Sequence, residues 1–554
     1  MLSYMRKFLL PLGIIILSSA LIANAAECSI ARPHPLTEEQ QAIIAGKLPK
    51  AEELYRQKIV QQPKDAELIA GLARTLLAEQ KVDEAESNIK AALATAPQSV
   101  ELLTAQAEVQ YRQGLPWDEE KTLQAAQQAD PCYPHVHLAL ARYYQFNSYY
   151  ASSVREIKVA HQLDPYDPEI RRAWIPAMPL QQRIDELKAY LAASDTDVDS
   201  LRRAQFELTR LENRLDNRSR ACQPASPVAA TEIPFTPILI DATRIRGWGL
   251  DVYFNDHRSR LQVDTGASGL NVSRPVAERA GLRPIMRSEF SGVGDRGAQS
   301  GYLAYADSIK IGGLEFRNCL VEVSDRRSIV DTDGLIGTDV FSSFLVTLDF
   351  PWHKLTLGPL PPYPGAVPAP ATLNTEQDSS AESSEAAPTG GTTQDTKTNP
   401  DSAGSHDRYI APEMKTWTSV YRVAHQMIVP TALNQKRLRL FIIDTGAQNT
   451  SISPSAAREV TGVHSDPRAM VHGVSGSVGS VYSGDRIVFR FAHLQQEKDN
   501  VLSFDTSSIS KNTGTEISGF IGFDLLGLLV VQIDYRDGLM NFQYSADRGY
   551  QHMR

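Results

Sequence analysis

The chain has 554 residues, long enough for three or four domains. Hydrophobic residues make up 42% and charged residues 22%, an ordinary globular balance that excludes a wholly disordered chain. The formal net charge of −9 argues against broad attraction to nucleic acid or anionic lipid. Four cysteines without a CxxC or a His/Cys cluster offer no zinc site, and no GxxxxGK[ST] phosphate loop occurs, so neither metal nor cofactor is expected.

Residues 1–25 contain Arg6 and Lys7, then an apolar run, then the small-x-small stretch Ala23-Asn24-Ala25. This is the layout of a secretory signal peptide. The apolar run is near the lower limit for spanning a bilayer, so a retained anchor is the competing reading. Glu27 is not the small residue that lipid attachment at Cys28 requires. We expect an exported chain starting near Ala26, with no stable membrane span after cleavage, periplasmic in a Gram-negative cell. Cys28, Cys132, Cys222 and Cys319 then meet an oxidising space. Three pairings are open to them, and so is survival of some as buried thiols.

Pro63, Pro97, Pro131 and Pro165 recur at a constant interval of 34 residues. Between them the pattern is helical, with Leu72-Ala73, Leu76, Ala85, Ile89 and Ala92 in one period and Leu140-Ala141, Tyr144, Ile157 and Ala160 in another. The middle period keeps Ala107, Gly114, Leu123 and Ala126 but places Glu119 where a small residue belongs. Small residues let paired helices approach closely, and Pro ends the second helix of each pair. These periods resemble the tetratricopeptide repeat, a helix–turn–helix unit. Gly46, Ala51 and Tyr55 look like the second half of an earlier, incomplete repeat. The resemblance implies an all-α domain over 36–215, with a concave groove for a protein partner or substrate; a structural spacer is the alternative. Ala204, Leu208, Leu211 and Leu215 read as a capping or connecting helix.

Residues 216–235 turn polar and Pro-containing and read as a linker. Residues 361–408, rich in Pro, Ser, Thr, Gly and Ala, cannot bury enough surface to fold and read as a disordered linker. Between and beyond them, 236–360 and 409–546 show short apolar runs broken by Gly, Asn and Asp, the pattern of β-strands.

The two β segments are copies. Leu261-Gln262-Val263-Asp264-Thr265-Gly266-Ala267-Ser268 matches Phe441-Ile442-Ile443-Asp444-Thr445-Gly446-Ala447-Gln448 at an offset of 180. Downstream, Gly334-Leu335-Ile336-Gly337-Thr338-Asp339 matches Gly519-Phe520-Ile521-Gly522-Phe523-Asp524 at an offset of 185. Each is followed by an apolar strand ending in an acidic residue, Thr347-Leu348-Asp349-Phe350 and Gln532-Ile533-Asp534-Tyr535. An apolar strand, Asp-Thr-Gly, a glycine-rich segment and then two apolar residues before Gly resemble the aspartic peptidases, especially the retropepsin-like family. That resemblance implies a multidomain protein in which the helical repeats precede two all-β acid-protease lobes.

It also implies the chemistry. Two carboxylates a few ångströms apart cannot both ionise, so one keeps a proton. The charged one would act as general base on a water; the protonated one would hydrogen-bond the scissile carbonyl. Asp264 and Asp444, one from each lobe, are the candidate pair. Thr265 and Thr445 would bond across the lobe interface, and Gly266 and Gly446 would permit the tight turns. The flap candidates include Gly292, Val293 and Gly294 in the first lobe and Gly473, Val474 and Ser475 in the second; they would fold over an extended peptide. His425 and His472 read as surface or flap residues, and Asp349 and Asp534 as strand ends.

Ser268 and Gln448 stand where retroviral enzymes carry Asp, so the lobes are not equivalent beside the cleft. Ala267 and Ala447 stand where pepsin-like lobes carry a hydroxyl, and we expect a pH optimum less acid than a gastric enzyme's. The leading expectation is an exported aspartic endopeptidase acting on protein or peptide. A peptide-binding scaffold without catalysis is the alternative, and each lobe pairing with its like in another chain is an alternative assembly.

Overall fold

The computed structural model describes residues 28–544, apart from 34, 193–197, 217–221, 227–229, 240–244, 291, 296, 298, 328, 330, 365–372, 374–405 and 436. The expected export signal and most of the expected disordered linker therefore lie outside the described residues.

The first half is helical. Helices α1 (Glu38–Ile44), α2 (Leu48–Gln61), α3 (Ala66–Ala78), α4 (Val82–Leu93), α5 (Val100–Arg112), α6 (Pro116–Ala129), α7 (Pro134–Phe146) and α8 (Tyr150–Leu163) form antiparallel pairs. Each of the four periodic prolines lies in the turn after the second helix of a pair. Asp65 and Ser99 then cap the helices that follow, each accepting from a backbone N–H three residues on. Ala73, Ala85, Ala107, Ala126 and Ala160 are fully buried, as close helix packing demands. Glu119, at the place of a small residue, is buried, and among the described residues neither of its oxygens has a hydrogen-bond partner; burial pushes its carboxyl up to about 8. Helices α9 (Pro168–Trp174), α10 (Leu180–Ala192) and α11 (Val198–Asp216) continue the array, with Leu208 and Leu211 of α11 packed on Leu180 and Ile184 of α10. No described helix is long and apolar enough to cross a membrane.

The cysteines form two bridges, Cys28–Cys132 and Cys222–Cys319. The first ties the start of the described chain to the turn between α6 and α7. The second anchors Cys222 to the strand Leu314–Ser324. Within the polar stretch 216–235, Gln223–Pro224 pairs with that strand and Thr231–Pro234 pairs with Lys354–Pro359. Composition hides these strands because each is very short and turns few side chains inward, Ile233 among them.

Among the described residues, residues 223–337 build a nine-stranded sheet and residues 421–521 a ten-stranded one. A third, six-stranded sheet takes strands from both halves. In it Phe344–Asp349 runs antiparallel to Leu529–Asp534, with Thr347 opposite Gln532. Those two residues are equivalents at the 185-residue offset, so a pseudo-two-fold axis passes between them. The pairing is made within one chain. One apolar core continues through the halves and includes Leu261, Val263, Phe441 and Ile443.

Candidate active site

The strand His257–Asp264 buries Leu261 and Val263 and delivers Asp264 at its end. It runs parallel to Gly334–Gly337, with Gly337 opposite Asp264. A Cβ on Gly337 would meet the Ala267 carbonyl at 2.5 Å, so only glycine lets the loop close there. The second half repeats the plan, with Leu438–Ile443 parallel to Gly519–Ile521. The two Asp-Thr-Gly loops meet at the pseudo-axis. The Thr265 amide donates to Thr445 Oγ1 at 3.0 Å and the Thr445 amide to Thr265 Oγ1 at 3.0 Å. Each hydroxyl in turn donates across the interface, Thr265 to the Ile443 carbonyl (2.8 Å) and Thr445 to the Val263 carbonyl (3.1 Å). Both threonines are buried, so losing either would strand several polar groups.

The threonine lattice brings the carboxyls together. A Cβ on Gly266 would fall 2.8 Å from Asp444 Cγ, and one on Gly446 would collide with the Asp264 carboxyl. Asp264 Oδ1 accepts from the amides of Gly266 (2.7 Å) and Ala267 (3.1 Å). Asp444 Oδ1 accepts from those of Gly446 (2.8 Å) and Ala447 (2.9 Å). Burial and the facing Asp444 push the Asp264 carboxyl well above the usual carboxylate range. Burial raises Asp444 as well, opposed by its two amide donors and by a hydrogen bond with Asp264. The arrangement favours one shared proton on the pair.

The glycine-rich segments meet each other. The Gly292 amide donates to Ser475 Oγ at 3.0 Å, and the Ser475 amide to the Val293 carbonyl at 3.0 Å. Gly294, at φ +130°, has no room for a side chain against the Ser475 carbonyl carbon and oxygen, and a Cβ on Gly473 would meet Val293 Cβ at 2.8 Å. A Cβ on Gly292 would touch Val474 Cβ at 3.0 Å. All six flap candidates thus lie in one contact between the halves. Among the described residues, no cluster of His, Cys, Asp and Glu is suited to hold a metal ion.

Residues 250–343 match the model of the family described as gag-polyprotein putative aspartyl protease, and residues 42–109 match that of the tetratricopeptide repeat. The chain resembles a retropepsin-like aspartic peptidase joined to tetratricopeptide repeats. Among solved structures, the aspartic proteinase from Irpex lacteus is 14% identical over 57% of this chain and 98% of its own, with a TM-score of 0.33. A thermophilic tetratricopeptide protein from Thermus thermophilus is 19% identical over 32% of this chain and 95% of its own, with a TM-score of 0.25. No curated protein matches the chain.

Around the aspartyl loops of this protease-like region stand residues whose roles the sequence does not announce. Asp339 accepts from Ser268 Oγ (2.8 Å) and the Gly269 amide (3.0 Å), and Asp524 accepts from the Thr450 amide (2.7 Å) and hydroxyl (2.8 Å). Each pins the loop that follows its Asp-Thr-Gly. The matching positions of Asp339 and Asp524 in the duplicated motif are the signal that marks them. His425 departs from the expected surface or flap position: its Nε2 lies 3.0 Å from the Gly266 carbonyl oxygen, because the hairpin that carries it reaches across the interface. The equivalent Gly446 carbonyl accepts from Gln262 Nε2 at 3.5 Å. His472 stays in the flap, with Nδ1 2.9 Å from Ser477 Oγ. Asp349 and Asp534 end their strands; burial and the nearby Asp537 push Asp534 up to about 7.

Proposed function

We propose that the chain is an exported aspartic endopeptidase with one catalytic centre, to which each lobe contributes one aspartate. The observation that carries this reading is the facing of two buried carboxyls, each gripped by two backbone amides. A water held between Asp264 and Asp444 loses a proton to the ionised carboxylate and attacks the scissile carbonyl carbon. The protonated partner donates to the carbonyl oxygen as it becomes a tetrahedral oxyanion. Proton return to the leaving nitrogen completes the cleavage, with no covalent intermediate and no metal in the scheme. An extended peptide lies between the loops and the flaps, so the contact from Gly292 to Ser475 opens to admit it.

The repeats recruit a protein substrate or partner, the use to which stacked helical pairs are suited. Export is supported by the amino-terminal layout and by two disulfides, which persist in an oxidising compartment. The test is cleavage of an unstructured protein across pH 3–8 by the purified chain, beside the Asp264→Asn, Asp444→Asn double variant. Cleavage by the native chain alone, with an optimum above about pH 3, is the expected result. No cleavage by either folded chain would favour a peptide-binding scaffold.

A further inference from the structure

We propose that His425 is a positioning residue for the aspartyl pair and that the repeat formed by α7 and α8 holds it in place, so the repeat domain is a working part of the catalytic centre. This inference rests on the peptidase reading above. His425 sits at the tip of a hairpin made by Tyr421–Val423 and Gln426–Leu433. The residue before it, Ala424, takes a left-handed φ of +52°, an uncommon conformation for a side chain with a Cβ. A carbonyl only accepts, so Nε2 carries the hydrogen of the 3.0 Å bond to Gly266. The peptide unit so gripped is Gly266–Ala267, and its other end, the Ala267 N–H, donates to Asp264 Oδ1. His425 therefore orients and polarises the donor that holds one carboxyl of the pair. In the other lobe the carbonyl of the equivalent peptide unit accepts from the amide of Gln262 at the longer distance of 3.5 Å.

The root of the hairpin belongs to the repeats. Tyr421 stacks on Phe146, the last residue of α7, at 4.7 Å between ring centres and 13° between planes. Arg422 Nη1 donates to the hydroxyl of Tyr150, the first residue of α8, at 2.8 Å, and also to the Tyr535 carbonyl. Arg422 Nη2 donates to the Ala424 carbonyl at 2.9 Å, directly beside His425. A continuous run of contacts thus leads from the α7–α8 repeat through Arg422 to the hairpin tip, and from there to Asp264. The titratable and charged groups around the tip are Asp264 and Asp444 of the pair, Asp339 of the first lobe, and Arg422 and Tyr535 of the second. A charged imidazole here favours the ionised form of Asp444 and of Asp339.

The experiment measures kcat and KM of the full chain on a short peptide spanning one cleavage site, as a function of pH. His425→Ala is expected to lower kcat about tenfold with KM nearly unchanged, and to move the acid limb of kcat/KM to higher pH. His425→Gln keeps an N–H donor but no charge, so it recovers most of kcat while the limb stays displaced. That variant decides alone should the alanine variant fail to fold. Phe146→Ala is expected to lower kcat on the same peptide, and combining it with His425→Ala is expected to add nothing further. An unmoved limb in His425→Gln, joined by a wild-type kcat in His425→Ala where that variant folds, would overturn the role of His425. Full additivity with Phe146→Ala would overturn the role of the repeat. An inactive wild-type chain would instead overturn the peptidase reading, and this inference with it.

Discussion

The two β lobes are alike where the pair of aspartates needs them to be and different almost everywhere around it. The strand, the Asp-Thr-Gly turn, the cross-bonded threonines and the two amide donors recur in both. The outer supports do not: Asp339 holds a serine hydroxyl and a glycine amide, whereas Asp524 holds both groups of one threonine and an ion pair with Lys498. The first lobe is stapled by Cys222–Cys319, while the second leans on the repeats through Tyr111, Arg112 and Phe146. Two carboxyls in identical surroundings would have no reason to divide one proton unequally. Unlike neighbours remove that degeneracy while the inner geometry stays fixed.

The largest effect expected from breaking the comparison is on activity. Asp264→Asn and Asp444→Asn should each abolish peptide cleavage, by about three orders of magnitude or more, despite their unlike neighbours. Their effect on stability has the opposite sign. The pair binds protons more tightly folded than unfolded, so native stability falls as pH rises past the ordinary carboxyl range. The double Asn variant should therefore melt higher than wild type near pH 7, and the gain should shrink towards pH 4.

Next comes the staple. Replacing Cys222 and Cys319 with serine should cost about 4 kcal/mol in denaturant unfolding, by the usual loop-closure argument for so long a loop. A transition that loses the first lobe before the second would show that the lobes draw on separate supports. A smaller effect is expected in the repeats. Glu119 holds its proton folded up to about pH 8 and releases it unfolded near pH 4.5, so it weakens the native state increasingly across that window. Glu119→Gln should raise Tm by several degrees at pH 8.5 and little at pH 5. Smallest is the difference between the loop supports. Thr450→Val removes a hydroxyl that both donates to Asp524 and accepts from the Gly522 amide, and should cost about 2 kcal/mol; Ser268→Ala removes one bond and should cost about 1 kcal/mol.

The helical period, the duplicated β-segments and the two aspartates were legible because each rests on short-range pattern: a fixed spacing of proline and small residues, or a tripeptide with apolar flanks. The threonine lattice was legible by family resemblance. What was not legible depends on distant contacts. The strands around Ile233 are too short to alternate visibly, and they exist because Lys354–Pro359 offers an edge to pair with. His425 lies next to nothing in sequence that marks it, and its place is set by a hairpin tip, a left-handed alanine and a helix end more than 250 residues away. The disulfide pairing was likewise beyond reach, since spacing cannot choose among three options.

The six-stranded sheet has a consequence for the protein as an object that can be cut. Its central seam joins Phe344–Asp349 to Leu529–Asp534 and lies on neither side of the long insert but across it. Covalent continuity through residues 374–405 is therefore not what holds the halves together. A nick there would leave two fragments clasped as a non-covalent heterodimer, each carrying one of the two facing aspartates. A fragment ending at residue 360 would carry one uncapped edge, with the seam strand bare and ready to recruit a second copy of itself.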